Sequence, residues 1–319
     1  RSYGRHLSLR TAVILGGVPF PPQIKALRKK PDIVVATPGR LLDLYRQKLL
    51  RLDKAEILVL DEADRMLDMG FVQDVRRIVN TLPRDRQTLF FSATLSWEIA
   101  ELASDMLREP KYVAATPPAT VAASIDQKVL FVRQGDKREL LTGILKGDDV
   151  ERALVFTRTK HRANHITRLL SKSGISADAI HSSKTQTARE RALRAFHRGS
   201  IKVLVGTDVV ARGIDVYGIS HVINYELPED PGSYVHRIGR TARAGAAGVA
   251  LSFCGAEEVA LLRGIESITQ CRMPALEDHP YHSATIAKLR GRAPVRPKQP
   301  SEEAPRFGRT RRAARRAFR

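Results

Sequence analysis

Two clusters of residues in this sequence have types and spacings that could handle phosphate groups. The first is Asp61-Glu62-Ala63-Asp64, which directly follows the apolar run Ile57–Leu60. A carboxylate at the end of a strand can hold Mg²⁺ directly or through water, and a second carboxylate can orient an attacking water. The same acids could instead begin a helix, where they meet the positive end of the helix dipole. These residues alone leave both interpretations open.

The second cluster is a series of arginines in the run His236–Gly245. Arg237, Arg240 and Arg243 recur at every third residue, so they share one face of a helix or converge from a loop. Planar guanidinium groups match the oxygens of a transferring phosphoryl group. The alternative is an arginine-rich surface helix, which the glycines within and after the series disfavour.

Short apolar runs alternate with longer amphipathic segments, and these elements must position the two clusters. Most of the runs are apolar throughout, which is typical of strands buried on both faces of a parallel sheet. The runs are Val13–Leu15, Ile33–Ala36, Ile57–Leu60, Leu89–Phe91, Lys128–Val132, Ala153–Phe156, Ala177–Ile180, Val203–Val205, Val222–Tyr225 and Gly248–Phe253. The alternation predicts an α/β protein with parallel sheets, whose ligands bind at the carboxyl ends of the strands.

The composition divides the chain into four parts. Small residues and two prolines between Ala114 and Thr120 cannot continue a helix or a central strand, which predicts a linker. Pro, Arg and Ala dominate after about Met273. We therefore predict two domains with the same rhythm of strands and helices, at 1–115 and 125–275, joined by a linker at 116–124. A basic, disordered tail is predicted at 276–319.

The charge of the chain indicates a polyanionic partner. Its 319 residues include 54 Lys and Arg against 34 Asp and Glu, a formal charge of +20, which favours nucleic acid over a membrane surface. The segment Ile286–Arg319 carries twelve of these cations and two acids, which predicts an arm that grips phosphates, with a merely solubilising end as the alternative. Two cysteines and the lack of a long apolar run predict a reducing, cytoplasmic location without membrane contact.

Seven short motifs in order along the chain resemble those of the DEAD-box RNA helicases, a superfamily 2 group built on two RecA-like domains. They are Gly16-Gly17, Thr37-Pro38-Gly39-Arg40, Asp61-Glu62-Ala63-Asp64, Ser92-Ala93-Thr94, Gln186-Thr187-Ala188-Arg189, Thr207-Asp208 with Ala211-Arg212-Gly213-Ile214-Asp215, and His236–Arg243. The resemblance extends from the first residues to about Cys271. The run from His236 to Gly245 is most similar to the bacterial RhlE-type branch. The resemblance implies an ATP-dependent RNA helicase or RNA chaperone, an acid-anhydride hydrolase that couples ATP hydrolysis to local unwinding of RNA duplexes.

The resemblance also assigns roles at an ATP site between the two domains. Asp61 would bind Mg²⁺ through water and Glu62 would position or deprotonate the attacking water. Arg240 and Arg243 would reach the γ-phosphate from the second domain as arginine fingers, and Asp215 would contact the ribose. Residues that would couple the state of the nucleotide to domain closure are Asp64, Ser92, Thr94, His236 and Arg237. Ser92 and Thr94 could alternatively cap the next helix.

RNA would bind along a track of phosphate contacts with little base specificity. The residues implied by the resemblance are Gly16, Gly17, Thr37, Gly39 and Arg40 in the first domain and Arg158, Arg189, Thr207 and Arg212 in the second. Glycines and backbone N–H groups allow the chain to approach phosphates closely. A plain turn is the alternative for each glycine taken singly. No protein partner is predicted.

Two departures from the family pattern limit these expectations. The sequence contains no G-x-x-x-x-G-K-[ST] string, whose backbone amides and lysine would cradle the phosphates of ATP. We expect an N-terminally truncated chain that is inactive alone and has an exposed apolar face in its first domain. A degenerate relative that lacks the string is the alternative. His181-Ser182 stands where the family usually has His-Gly, which predicts one modestly altered RNA contact.

Two other functions stay open at this point. A non-catalytic RNA-binding module would need only the second domain and the basic tail. A DNA-directed helicase of the same superfamily would share most of the motifs. Stimulation of ATP turnover by RNA or by DNA separates the two helicases.

Overall fold

The computed structural model describes residues 4, 6–93, 95–113, 125–208, 216, 218–242 and 247–291. We call residues up to 113 the first region and residues 125–291 the second region. The first region contains β1 (Thr11–Ile14), α1 (Phe20–Leu27), β2 (Ile33–Ala36), α2 (Pro38–Arg46), β3 (Ile57–Leu60), α3 (Ala63–Asp68), α4 (Val72–Thr81), β4 (Gln87–Phe90) and α5 (Trp97–Met106). The second region contains β5 (Ile125–Phe131), α6 (Lys137–Leu145), β6 (Ala153–Phe156), α7 (Lys160–Lys172), β7 (Ala177–Ile180), α8 (Gln186–His197), β8 (Val203–Gly206), β9 (His221–Asn224), α9 (Pro231–Ile238), β10 (Gly248–Cys254), a 3₁₀ turn (Ala256–Glu258), α10 (Val259–Thr269) and α11 (Ala284–Arg290).

The predicted α/β class with parallel sheets is confirmed. Strands and helices alternate in both regions, and every strand pair between these elements is parallel. Helical crossovers are what parallel neighbours require, because a tight turn cannot return the chain to the same end of the sheet.

The first region contains two separate pairs of strands, β1 with β2 and β3 with β4. Helices cover one face of each pair, as the burial of Ala12 and Ile14 on β1 and of Leu60 on β3 shows. Val13 and Val59, which point to the other face, are 50% and 54% exposed. The described elements cover one face only, so the burial on both faces that the apolar runs predict is not found in this region. The exposed apolar face that we expect in the first domain is found.

The second region is built on one six-stranded sheet in the order β5-β10-β9-β6-β8-β7. Strands β6, β8 and β9 are buried at every position. One core cluster packs α6 and α7 against one face, and other clusters pack α8, α9 and α10 elsewhere on the sheet. These strands match the prediction of burial on both faces.

The two edges of this sheet are protected in different ways. On the β7 edge, Asp178 accepts hydrogen bonds from the backbone N–H of Ala179 and from Nζ of Lys184. A charged side chain on an edge strand discourages pairing with another chain. On the β5 edge, the chain after Met273 bridges to Val129 through Ala275 and to Val132 through His282.

This edge contact corrects the predicted boundary of the tail at residue 276. The ordered chain continues to Gly291, because α11 buries Ile286 and Arg290 pairs with Glu266. A seven-residue helix with one buried apolar side chain leaves no periodic signal in a segment rich in Pro and Arg. The predicted linker at 116–124 and the last 28 residues of the predicted tail lie outside the described residues.

Candidate active site

The acids of the first cluster lie in a sharp turn between β3 and α3. Glu62 adopts a left-handed backbone conformation, with φ of 53° and ψ of 49°. Non-glycine residues rarely adopt this conformation, and strained backbone of this kind concentrates at functional sites. Oδ1 of Asp61 accepts the N–H of Glu62 at 2.9 Å, and Oε2 of Glu62 pairs with Arg65 at 2.6 Å. The turn therefore sends the two carboxylates out of the carboxyl end of β3.

These acids face the second cluster across a cavity of about 470 Å³ between the two regions. The cavity is lined by Asp61, Glu62, Asp64, Arg65, Phe91, Ser92, Ala93 and Val113 from the first region and by His236 and Arg240 from the second. The structure thus brings together six of the predicted site residues: Asp61, Glu62, Asp64, Ser92, His236 and Arg240. The carboxylates and the guanidinium that the sequence separates by more than 170 residues share one space.

A direct polar contact joins the regions beside this cavity. Nε2 of His236 lies 3.4 Å from Oδ2 of Asp64, a carboxylate that is only 8% exposed. The ring sits on α9 and the carboxylate in the first turn of α3. Because the two side chains belong to different regions, this contact forms or breaks when the distance between the regions changes.

Arg237 contacts its own region instead. Its guanidinium donates two hydrogen bonds to Asp208, at 2.5 and 2.7 Å, and others to Asn224 and to the carbonyl of Glu226. It also stacks over Phe156, with 4.9 Å between Cζ and the ring centroid. The residue is 1% exposed. Our grouping of Arg237 with the residues between the domains therefore needs correction: among the described residues, its hydrogen bonds tie α9 to the ends of β8 and β9.

The predicted RNA residues of the first region gather at the carboxyl ends of β1 and β2. Oγ1 of Thr37 accepts the N–H of Gly16 at 3.3 Å, and Gly17 has a φ of 76°. Arg40 donates to the carbonyl of Val18 and lies 4.0 Å from the ring centroid of Phe20. Gly39, in the first turn of α2, has open space where a Cβ would be. The first amides of α2 have no side-chain cap, which leaves them to an anion or water.

The corresponding residues of the second region differ in accessibility. Arg158 and Arg189 each keep a buried Nε donor with no acceptor in the described part of the chain. Thr207 is 8% exposed, so little of its side chain can reach a phosphate. Arg158 follows the carboxyl end of β6, and Arg189 lies in the first turn of α8. A ligand cannot reach these buried Nε atoms, so any RNA contact of the two arginines would come from their Nη atoms.

Sequence reasoning missed the pair of charged residues that holds Arg158. Glu258 and Lys137 are both 0% exposed and pair at 2.5 Å, and Glu258 also accepts from Nη2 of Arg158 at 2.6 Å. Burial alone would raise the pKa of Glu258, but Lys137 and the hydrogen bonds lower it below its ordinary value. The motifs quoted above contain neither Glu258 nor Lys137. The sequence marks Glu258 only as a charged residue next to the apolar residues that follow β10.

Four predicted site residues, Thr94, Arg212, Asp215 and Arg243, lie outside the described residues. Among those that are described, no group of three or more His, Cys, Asp or Glu could hold a metal ion. No helix in the described ranges is both long and apolar enough to cross a membrane.

Comparison with known families identifies two matching segments. Residues 1–102 match the DEAD/DEAH box helicase family and residues 136–245 match the helicase conserved C-terminal domain. The two segments correspond to the two regions of the structure and contain both sides of the cavity.

Curated relatives with this similarity carry helicase names. The chain is 42% identical over 289 residues to the ATP-dependent RNA helicase CshA of Listeria monocytogenes. This alignment covers 91% of this chain and 55% of that protein. It is 42% identical over 275 residues to the DEAD-box ATP-dependent RNA helicase CshA of Bacillus subtilis. This alignment covers 86% of this chain and 56% of that protein. The chain thus spans little more than half the length of these relatives. These names do not support the RhlE-type branch that the sequence suggested.

Solved structures agree with this similarity. Dbp5 of S. cerevisiae bound to RNA and ADP BeF3 matches with a TM-score of 0.76 and 31% identity, over 86% of this chain and 71% of that one. Mss116 bound to ssRNA and UDP-BeF matches with a TM-score of 0.76 and 27% identity, over 88% and 60%. The RecA-like architecture predicted from the motifs is confirmed. From the matched segments, the relatives and the fold together, this chain belongs to the DEAD-box RNA helicase family.

Proposed function

We propose that this chain is part of an ATP-dependent RNA helicase in which the cavity between the two regions binds ATP. The cavity itself carries the proposal, because it combines the carboxylates of Asp61 and Glu62 with the guanidinium of Arg240. Acids on one side and a cation on the other suit a nucleotide whose metal-bound phosphates bridge the two regions. The names of the relatives support this reaction. A cytoplasmic location is part of the same proposal.

The donor set suits Mg²⁺. One oxygen of Asp61 accepts a backbone N–H, which leaves the other for a water of the metal. Mg²⁺ keeps several waters and needs only one or two carboxylates beside the substrate phosphates, so a cluster of three protein ligands is not required. The metal would neutralise charge on the phosphates. Glu62 would hold the attacking water, and Arg240, with Arg243, would bind the γ-phosphate.

RNA would bind by its backbone at the carboxyl ends of the strands. Thr37, Gly39 and Arg40 would supply contacts from the first region, and Arg158 and Arg189 from the second. The pair of His236 with Asp64 and the hydroxyl of Ser92 would report the state of the nucleotide to the other region. Binding of RNA and ATP would thus favour one arrangement of the two regions.

The chain by itself is proposed to bind RNA without turning over ATP. It has no G-x-x-x-x-G-K-[ST] string, so the backbone cradle for the phosphates is missing from this sequence. That observation favours the second candidate function, a non-catalytic RNA-binding module, for the isolated chain.

ATP hydrolysis tests both statements. We expect no RNA-stimulated hydrolysis from this chain, and RNA-stimulated hydrolysis from the product of the complete open reading frame. In that product, Glu62→Gln should abolish turnover while leaving RNA binding intact. Stimulation by DNA strands and not by RNA would contradict the choice of substrate. Unchanged turnover in the Glu62→Gln variant would contradict the site.

The basic end of the chain gives a separate test of RNA binding. Residues 292–319 contain ten Lys and Arg and two Glu. Truncation after Gly291, which leaves α11 complete, should flatten the dependence of RNA affinity on salt by roughly 0.7 in log–log slope for each lost phosphate contact. Titration of a labelled single-stranded RNA at several salt concentrations measures the slope. An unchanged slope would exclude these cations from binding.

A further inference from the structure

A buried cluster of charges lies behind Arg158, in the second region. Its centre is Glu258, at the end of the 3₁₀ turn that follows β10. Lys137 begins α6 and Arg158 follows β6, so three elements that are distant in sequence meet at one carboxylate. Glu258 lies beyond residue 245, where the match to the helicase C-terminal family ends.

The carboxylate of Glu258 accepts four hydrogen bonds. Its donors are Nζ of Lys137 at 2.5 Å, Nη2 of Arg158 at 2.6 Å, and the backbone N–H groups of Gly255 at 2.9 Å and Leu227 at 3.1 Å. Nζ of Lys137 also donates to the carbonyl of Tyr225 at 3.1 Å. Such complete pairing is needed, because an ionised carboxylate with 0% exposure would otherwise be strongly destabilising.

The balance of charge leaves a positive group at the surface. Glu258 carries one negative charge, and Lys137 already neutralises it inside the protein. The side chain of Arg158 is 30% exposed, so its guanidinium is the outer, surplus cation of the cluster. Nearby Glu226, which accepts the backbone N–H of Arg158 at 2.9 Å, has a second cation 3.6 Å away in Arg162. Glu229 also acts on Arg158 electrostatically, so the surplus positive charge is that of the buried cluster itself. The exposed part of Arg158 can bind an anion although the guanidinium is bonded to a carboxylate.

The cluster also restricts where Arg158 can point. An arginine side chain loses considerable rotamer freedom when it binds, and a preformed contact removes part of that loss beforehand. Nη2 is fixed by Glu258 and the backbone by Glu226. Nε has no acceptor among the described residues. Nε is itself buried, so an outer ligand cannot reach it. The guanidinium is thus oriented through Nη2, while Nη1, which makes no hydrogen bond among the described residues and is not buried, can donate to an outer ligand.

We infer that Glu258 and Lys137 are positioning residues, which together hold the guanidinium of Arg158 charged and oriented to bind a phosphate of the RNA backbone. This inference rests on the proposed RNA-binding function. Neither residue touches RNA in this scheme. Glu258 sets the direction of Arg158, and Lys137 prevents that carboxylate from cancelling its charge.

A double-mutant cycle on RNA binding by the full chain tests the inference. The variants are Arg158→Ala, Glu258→Gln and the two combined, and the probe is a fluorescently labelled single-stranded RNA titrated at several salt concentrations. Arg158→Ala should lower affinity on the order of tenfold and reduce the log–log salt slope by about 0.7. Glu258→Gln should lose most of the same affinity, and the combined variant should be no weaker than Arg158→Ala. Additive losses would overturn the inference, because Glu258 would then act independently of Arg158.

Two further variants separate positioning from stability. Glu266→Gln breaks the pair with Arg290 in the same region, away from Arg158, and should leave RNA affinity and its salt slope unchanged. If Glu258→Gln fails to fold, the double variant Lys137→Met/Glu258→Gln replaces it. The double variant removes both buried charges together, so no unpaired charge is left in the interior. The RNA affinity of this double variant should equal that of Arg158→Ala. An affinity equal to that of the unmodified chain would overturn the inference. No effect of Arg158→Ala itself would overturn the proposed RNA role of Arg158 as well, so the two failures are distinguishable.

Discussion

The two regions follow the same rhythm of strand and helix, yet their strands have different surroundings. In β6 of the second region, all four side chains are at most 1% exposed. In β3 of the first region, Ile57 and Val59 are more than half exposed although the strand is just as apolar. The difference lies in the number of layers: helices cover both faces of the six-stranded sheet but one face of each strand pair in the first region.

This difference shows that the apolar sequence of a strand favours burial. The sequence of the strand does not determine which element covers it, or whether one does. A six-stranded sheet has four strands with a neighbour on each side, whereas in a two-stranded sheet both strands are at an edge. The second region therefore contains the larger share of buried apolar area and of stability. The cavity lies between these unequal partners, with its acids in the less covered region.

Replacing one isoleucine by alanine in each region should give the largest difference in the free energy of unfolding. Ile223 on β9 is 0% exposed and Ile57 on β3 is 59% exposed. Ile223→Ala should lower the free energy of unfolding by about 2–5 kcal/mol, and Ile57→Ala by less than about 1 kcal/mol, because only the first creates a buried cavity. Denaturant unfolding followed by circular dichroism measures both. Equal losses would show that another surface covers the exposed face of β3.

A matched pair of arginines gives the next contrast. Arg237 makes four hydrogen bonds and is 1% exposed, whereas Arg40 has one hydrogen bond and a cation–π contact at a half-buried site. Arg237→Met should destabilise the second region by roughly 2–3 kcal/mol, since Asp208 and Asn224 lose their partner, and Arg40→Met by about 1 kcal/mol in the first region. Thermal melting of both variants compares them. A greater loss in Arg40→Met would reverse the assignment of stability.

Acid should weaken the second region before the first. Burial is the main cause that lowers the pKa of His181, His221 and His279, all in the second region, below the ordinary value of 6.5. The unfolded chain then binds more protons than the folded chain, so stability is complete above pH 6.5 and falls as the pH drops below it. Hydrogen exchange at about pH 7.5 and 5.5 should show second-region amides losing protection, after correction for the intrinsic rate. His221→Asn should reduce the effect, and a loss confined to the first region would contradict the prediction.

The smallest expected effect concerns the turn that carries Asp61 and Glu62. Glu62→Gly should stabilise the first region by up to about 1 kcal/mol, because glycine adopts the left-handed conformation without strain. Lys48, with φ of 58° and outside the cavity, provides the control: Lys48→Gly should stabilise by a similar amount. Hydrogen exchange of the amides of the first region follows its unfolding in both variants. A stability loss in Glu62→Gly would show that the side chain of Glu62 contributes more than its backbone costs.

Much of the fold follows from local pattern. Ile33–Ala36, Ile57–Leu60 and Ala153–Phe156 are strands at the residues where the apolar runs predict them. The ordered segment after residue 275 was missed because α11 and the bridge to β5 depend on contacts with distant residues. The roles proposed for the motif residues came from resemblance, and the structure adds the space that six of them share.

The sequence by itself determined the parallel α/β class, the strand ends where polar residues collect, and the family. Tertiary structure alone decided which apolar faces are covered, that Arg237 bonds within its own region, and that Lys137, Glu258 and Arg158 form one cluster. The physical reason is range. Strand propensity and alternation act over a few residues, whereas burial and ion pairing depend on groups that are far apart in the chain. Lys137 and Glu258, for example, are separated by 121 positions and meet only when the sheet assembles.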